Sequence, residues 1–314
     1  MIWTVNGRCH QGLTETCSSV LLLEPLSRSA DSFHRKTAMI VDSHTHAWEL
    51  WPYDPPVPDH EQRGKVENLL WEMDRVGVDQ AVLVCARIDH NPGNNDYVAD
   101  IVKKYPDRLI QFADVDCSWS DQYHTPGAAD RLRQAAGRYD LKGFTHYVKS
   151  DTDWFASEEG LAFFEVAAEM KLIASLAMGP HWQPALRELA TRFPTIPFLC
   201  HHMAGCRADD PEKLKQIAES ASVPNIHIKM SGFHYVSPTT WNFPYENCRD
   251  TVQGLYDAFG PERLCWGSDY PVVRTAMTYQ HALEAFRACD FIPAADQERI
   301  LGGALADLLA AAGS

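Results

Sequence analysis

The stretch MIVDSHTHAW, residues 39–48, sets Asp42, His44 and His46 at alternating positions behind a short apolar run. Residues two apart on an extended strand share a face, so the three side chains are expected to project the same way. Two neutral imidazoles side by side suit a divalent ion, because each ring offers it a nitrogen lone pair. With 14 histidines in 314 residues such a pair also arises by chance, and surface or hydrogen-bonded histidines are the competing reading. Other polar residues decide between the two. His146 lies in LKGFTHYV, His181 in MGPHW, His201 and His202 in IPFLCHH, and Asp269 in RLCWGSD. Each stands at the end of an apolar run. Convergence at one place gives them a joint explanation as a metal pocket, with His44, His46 and Asp269 as ligands, against a capping role for Asp269, and His181 as either a third imidazole ligand or a loop residue. Only one of His201 and His202 is expected to point inward from a strand.

Such a pocket needs a scaffold that gathers strand ends. Beyond Met39 the sequence alternates β-rich runs with longer amphipathic ones. The runs begin at MIVDSH, DQAVLVCAR, LIQFADVD, LKGFTHYV, LIASLAM, IPFLCHH, NIHIKMSG and RLCWGSD. Between them, segments such as VENLLWEMDRVG and EGLAFFEVAAEM carry apolar residues at the three-to-four spacing of a helix packed on one side. Gly77, Pro106 and Pro194 supply stop signals. The pattern predicts an α/β fold, a (β/α)8 TIM barrel with an extra C-terminal helix over residues 294–312. An open doubly wound sheet competes with it, but no glycine-rich phosphate loop follows the first strand. In a barrel, chemistry belongs at the carboxyl ends of the strands, where these histidines fall.

Composition narrows the partners. The formal net charge of -14 disfavours nucleic acid and anionic membrane surfaces, which call for a basic face. The 9 cysteines lack a C-x-x-C pair, so neither a disulfide framework nor a thiolate zinc site is expected, and a reduced, cytoplasmic compartment fits best. No apolar run reaches the roughly 18 residues of a membrane helix. In the first 38 residues the only apolar cluster, SSVLLLEPL, is interrupted by Glu24 and Pro25 and has no cationic leader. Residues 1–38 are expected to be a flexible extension with Met39 as the natural start, and residues 39–314 a single catalytic domain.

The ordered set VDSHTHAW, GVDQAVLVCA, LKGFTHYV, PFLCHHMAG, NIHIKMSGF and RLCWGSDYPV resembles the amidohydrolase superfamily, in its amidohydrolase-2 or lactonase-like branch. The likeness runs over residues 39–303. It implies His44 and His46 as metal ligands, Asp269 as both ligand and base, and His202 as the group that polarises the substrate or holds the water. His181 falls where many relatives place a fifth-strand ligand. The fourth-strand end departs from the branch, offering Thr145 and His146 in place of an Arg-His pair. Ala304 stands where relatives often have Asn. No bridging lysine or glutamate stands where two-metal relatives keep one, unless Lys149 serves, which favours one divalent ion, zinc by preference. Some relatives keep the histidines without a metal.

The resemblance implies a hydrolase that opens a lactone or similar cyclic ester on a small molecule bearing hydroxyl or carboxylate groups. Arg87 is the candidate for a carboxylate contact, its planar fork suiting that group, against a surface ion pair. His146, Trp48, Trp182 and Tyr270 are candidates for the pocket wall, against plain loop packing. Assembly as a homo-oligomer is compatible with the sequence. The alternative activity is a metal-dependent non-oxidative decarboxylase of a carboxylated ring. Many such relatives follow the sixth-strand histidine with Gly-Glu, whereas the run here is HHMAGCRADDP.

Overall fold

The computed structural model describes residues 38–54, 56–149 and 151–313. The expectation for residues 1–38 falls outside them, Ala38 apart. Strands and helices follow as β1 (Val41–Thr45), α1 (Val66–Val76), β2 (Gln80–Val84), α2 (Asn94–Lys104), β3 (Leu109–Asp114), α3 (Ala128–Tyr139), β4 (Gly143–Tyr147) and α4 (Glu158–Glu169). The second half continues with β5 (Ile173–Ala177), α5 (Gln183–Arg192), β6 (Phe198–Cys200), α6 (Pro211–Ala218), β7 (Ile226–Met230), α7 (Phe233–Val236), α8 (Arg249–Phe259), β8 (Leu264–Trp266) and α9 (Tyr279–Arg287). Last come α10 (Ala294–Glu298) and α11 (Ala304–Ala311). The eight strands pair in chain order, each parallel to the next. The chain just past β8 then bridges back to β1, Thr45 pairing with Tyr270 and the Asp269 N–H donating to the His44 carbonyl at 2.8 Å. This is the expected (β/α)8 TIM barrel.

Local chemistry explains the elements. In α1, Val66, Leu69 and Met73 are buried at helical spacing, and Gly77 ends the helix at φ 76, its N–H donating to the Met73 carbonyl. Ser157, Asp210 and Thr278 cap α4, α6 and α9 by accepting a backbone N–H one turn on. Strand residues alternate between two cores. Ala81 and Leu83 of β2, like Phe144 of β4, join the layer under the helices. Val82, Val84, Phe112, Ile173 and Leu199 form a second core along the barrel axis.

Leu305, Leu309 and Ala312 of the C-terminal region pack into that axial core with Val41. The expected C-terminal helix over 294–312 is present and unbroken from Ala294 to Ala311, with α10 passing through a π-helical turn at Arg299–Gly303 into α11. A Cβ on Gly302 would lie 2.0 Å from the Met39 carbonyl oxygen, so only glycine lets this turn press on the chain entering β1. The short α7, unforeseen in the sequence, follows β7 directly and brings its side chains to the carboxyl end of the barrel.

Candidate metal centre

The site begins with an irregularity in β1. Asp42 pairs with Ala81 and Thr45 with Leu83, so three steps of β1 face two of β2. The extra residue is a β-bulge, which re-aims the side chains on either side of it. Asp42, His44 and His46 therefore do not share one face, contrary to the alternation in the sequence. Asp42 turns to the helix layer, where Oδ2 accepts the Tyr279 hydroxyl at 3.0 Å. Its Oδ1 accepts the N–H groups of His44 at 3.0 Å and Ser268 at 2.9 Å, tying β1 to the end of β8. Burial pushes the Asp42 carboxyl up to about 6.

Past the bulge, His44 and His46 enter the barrel mouth and meet Asp269. One ligand atom from each lies within 4.8 Å of the other two, and all three residues are buried. The separations are 3.2 Å between the two Nε2 atoms, 3.6 Å from His44 Nε2 to Asp269 Oδ1 and 3.5 Å from His46 Nε2 to the same oxygen. Ligands at zinc bond lengths around one tetrahedral centre stand about 3.3 Å apart, so the three atoms fit a single ion. The tautomer of His46 fits as well. Its Nδ1 lies 2.6 Å from the Val84 carbonyl, which only a donor can meet, leaving the Nε2 lone pair for a cation. Trp48 stacks behind the same ring at 4.7 Å and is anchored by its indole N–H on the Ala86 carbonyl.

Beneath the pair sits Lys229 of β7, fully buried. Its ammonium nitrogen lies 3.3 Å from His44 Nδ1 and donates to Ser175 Oγ at 2.7 Å. Burial lowers the Lys229 amine to about 7, and burial together with Lys229 holds His44 well below the usual histidine range.

Both histidines at the end of β6 turn inward, which corrects the expectation that only one would. The strand stops at Cys200, and the chain then takes left-handed conformations at His202 (φ 48), Met203 (φ 50) and Ala204 (φ 52). Strain of this kind concentrates at functional sites. His201 faces Ser175 Oγ through Nε2 at 2.7 Å, and its ring centroid lies 4.5 Å from that of His44. His202 sets Nδ1 3.0 Å from Ser231 Oγ and Nε2 3.9 Å from Asp269 Oδ1. Burial lowers His202 to about 4, against the pull of Asp269.

Asp269 offers Oδ1 to the imidazoles while Oδ2 accepts the Tyr235 hydroxyl at 2.8 Å. Burial works to raise its carboxyl, but His202 and His46 outweigh it and hold Asp269 below the ordinary carboxylate value. Tyr235 reaches it because Gly232 starts α7 at φ 73, with room for the Tyr235 and His202 side chains where a Cβ would stand 2.7 Å and 3.1 Å from them.

Several expected site residues lie elsewhere. His181 is exposed on the turn Pro180–Trp182, its ring against Trp182, in a groove with Asp210 and Lys213. Its place as a ligand is corrected: β5 ends before this turn and sends Ser175 to the centre instead. His146 shares the parity of Phe144, so it faces outward, its ring 5.7 Å from both Phe163 and Trp154 and its Nε2 3.2 Å from His124 Nε2. Of the residues of β4 on the inward face, Tyr147 comes to 5.1 Å from the His201 ring. Arg87 is exposed and donates to the Pro92 carbonyl, in a cavity with Asp96, Arg131 and Arg138. Tyr270 closes the barrel with its main chain and packs its ring on Tyr279, and Trp48 is a buried prop for His46. Lys229, Tyr147 and Tyr235 were not singled out from the sequence. Strand parity alone would have found Tyr147.

The amidohydrolase-2 family model matches residues 41–309. The chain belongs to that family. Within this family it is similar to L-fucono-1,5-lactonase of Burkholderia ambifaria, 27% identical over 256 residues that cover 75% of this chain and 81% of the relative. It is also similar in structure to an amidohydrolase from Burkholderia multivorans with bound zinc, at a TM-score of 0.69 and 18% identity, over 87% of this chain and 99% of that one. A 5-carboxyvanillate decarboxylase from Sphingomonas paucimobilis aligns at a TM-score of 0.63 and 15% identity, over 87% of this chain and 99% of the other. Both structural likenesses speak to the barrel alone. No helix among the described residues is long and apolar enough to cross a membrane.

Proposed function

We propose that the protein is a metal-dependent hydrolase that opens a lactone or similar cyclic ester. The observation that carries this reading is the convergence of His44, His46 and Asp269 on one point, with a carboxylate among them. A divalent ion held by these three residues, zinc by the choice of nitrogen and oxygen donors, supplies Lewis acidity toward a carbonyl and lowers the pKa of water.

The chain's own groups perform the rest. Asp269, oriented through Oδ2 by Tyr235, accepts the proton of the attacking water at Oδ1. Water oxygen bonds to the carbonyl carbon, the ring carbon–oxygen bond breaks, and the proton passes from Asp269 to the leaving alkoxide. His202, at 3.9 Å from Asp269, stands where it stabilises the developing oxyanion. The product is a hydroxy acid, which releases a proton at neutral pH. The lactonase relative supports an ester-type bond, and the lack of a Gly-Glu pair directly after His202 tells against the decarboxylase.

The test is a pH-indicator assay on a panel of lactones alongside a carbon dioxide assay on carboxylated phenols. Proton release with ring opening is expected, lost on chelation and restored by zinc. Carbon dioxide release without ring opening would replace this reading by the lyase, and rates indifferent to chelation would remove the ion from it.

A further inference from the structure

His202 is the most open group of the centre: its side chain is 21% exposed, against 2% for Asp269, 4% for His46 and none for His44. It also belongs to a second triplet, with His44 and His201, whose ligand atoms all lie within 4.8 Å of one another. It is placed either to hold the cation or to meet the substrate. The position of one proton decides which.

Ser231 supplies the answer. Its N–H donates to the Lys229 carbonyl at 2.9 Å as β7 ends, and the residue is fully buried. Among the described residues its hydroxyl has one partner, His202 Nδ1 at 3.0 Å. If Nδ1 carried a proton, in a neutral ring or a charged one, Ser231 Oγ would accept it. The hydroxyl's own proton would then face no acceptor in a buried place, which costs about 1–3 kcal/mol. With Nδ1 bare, the hydroxyl donates to it, the ring carries its single proton on Nε2, and that N–H faces Asp269 Oδ1 at 3.9 Å. Every group is then matched. His46 is held the opposite way, because the Val84 carbonyl opposite its Nδ1 can only accept.

We propose that Ser231 is a positioning residue whose hydroxyl fixes His202 in its Nε2–H form, making His202 a hydrogen-bond donor to the substrate oxyanion and keeping it out of the metal's ligand set. The oxyanion rests on the lactone-opening reading above, whereas the tautomer stands without it. Neither nitrogen of His202 keeps a lone pair for a cation: Nδ1 receives the Ser231 hydroxyl and Nε2 holds its own hydrogen. An N–H set in advance needs no reorganisation when charge develops on the carbonyl oxygen. His44, His46 and Asp269 then form the whole set of protein ligands, and the fourth position of a tetrahedral ion is left to water.

The experiment records nitrogen NMR spectra of protein with isotopically labelled histidines, zinc-free and zinc-loaded, the His202 signals being assigned by their loss in His202→Gln. The Nε2–H form is expected in both states, and a mixture of the two tautomers in Ser231→Ala. On δ-valerolactone, Ser231→Ala should lose about 10-fold in kcat with KM within about twofold and zinc content unchanged, because the lost interaction belongs to the transition state. Ser231→Thr keeps the hydroxyl and should recover most of the loss. A proton on Nδ1 in the wild type, a His202 signal displaced by direct bonding to zinc, or an unchanged tautomer or full kcat in Ser231→Ala overturns the proposal. An Nε2–H form that depends on Ser231 in a protein that opens no lactone sinks the hydrolase and keeps the tautomer.

Discussion

Asp269 has two oxygens in two different environments. Oδ1 stands 3.6 Å and 3.5 Å from the Nε2 atoms of His44 and His46, while Oδ2 is occupied by the Tyr235 hydroxyl. The phenol therefore leaves Oδ1 as the oxygen that both faces the cation and takes the proton, one lone pair for each. Asp269→Asn keeps the shape but removes the base and one anionic ligand, so turnover should fall by about 100-fold or more. Bound zinc should fall with it, and metal analysis beside initial rates checks both; wild-type turnover in that variant would end the role given to Asp269. At this scale the sequence was legible where a residue type is rare for its place, as with an H-x-H followed far along the chain by GSD. It was opaque where backbone conformation aims the side chain. The left-handed turn at His202 brings in His201 as well, and nothing in the letters CHH announces it. Lys229 reads as an ordinary strand residue until Ser175 and His44 are found around it.

The bulge of β1 shows the same limit for a whole element. All eight strands were visible as β-rich runs, since apolar periodicity records burial directly. A single extra residue in the ladder leaves no such record, yet it reverses the face of Asp42 relative to His44. The outward Asp42 then becomes a strap between β1, the end of β8 and α9. Asp42→Ala would strand two backbone N–H groups and a tyrosine hydroxyl, at a cost of about 3 kcal/mol. Urea unfolding should register that loss, with Asp42→Asn less affected because its amide oxygen still accepts. Zinc affinity should weaken by about 10-fold or more in Asp42→Ala, since the strap positions the backbone that carries His44 and Asp269. An unchanged urea midpoint would mean that the strap carries no load. His181 failed for a related reason: a histidine shortly after a strand is placed by the turn, and this turn carries it to the surface.

Across the whole molecule, buried histidines make folding sensitive to acid. His227 of β7 is 7% exposed, with Nδ1 3.2 Å from the Asn225 carbonyl, and burial lowers it from 6.5 to about 4. His146, wholly buried, is likewise lowered from 6.5 to about 4 by burial. Both lie outside the metal centre, so their titration reports on the fold. Unfolding returns each to its ordinary value, and the unfolded chain then binds more protons than the folded one between these limits. The stability each contributes is whole above pH 6.5 and is lost as pH falls from 6.5 toward 4. At 1.36 kcal/mol per pH unit, one such residue accounts for at most about 3 kcal/mol over that window. His227→Gln cannot titrate, so its unfolding free energy should depend less steeply on pH by up to that amount, while the two proteins keep parallel curves above pH 7. Denaturant titrations at intervals of pH on chelated protein measure this without interference from metal binding. Identical slopes for the two proteins below pH 6 would show that His227 is already protonated in the folded barrel, with water or a carbonyl sharing its charge.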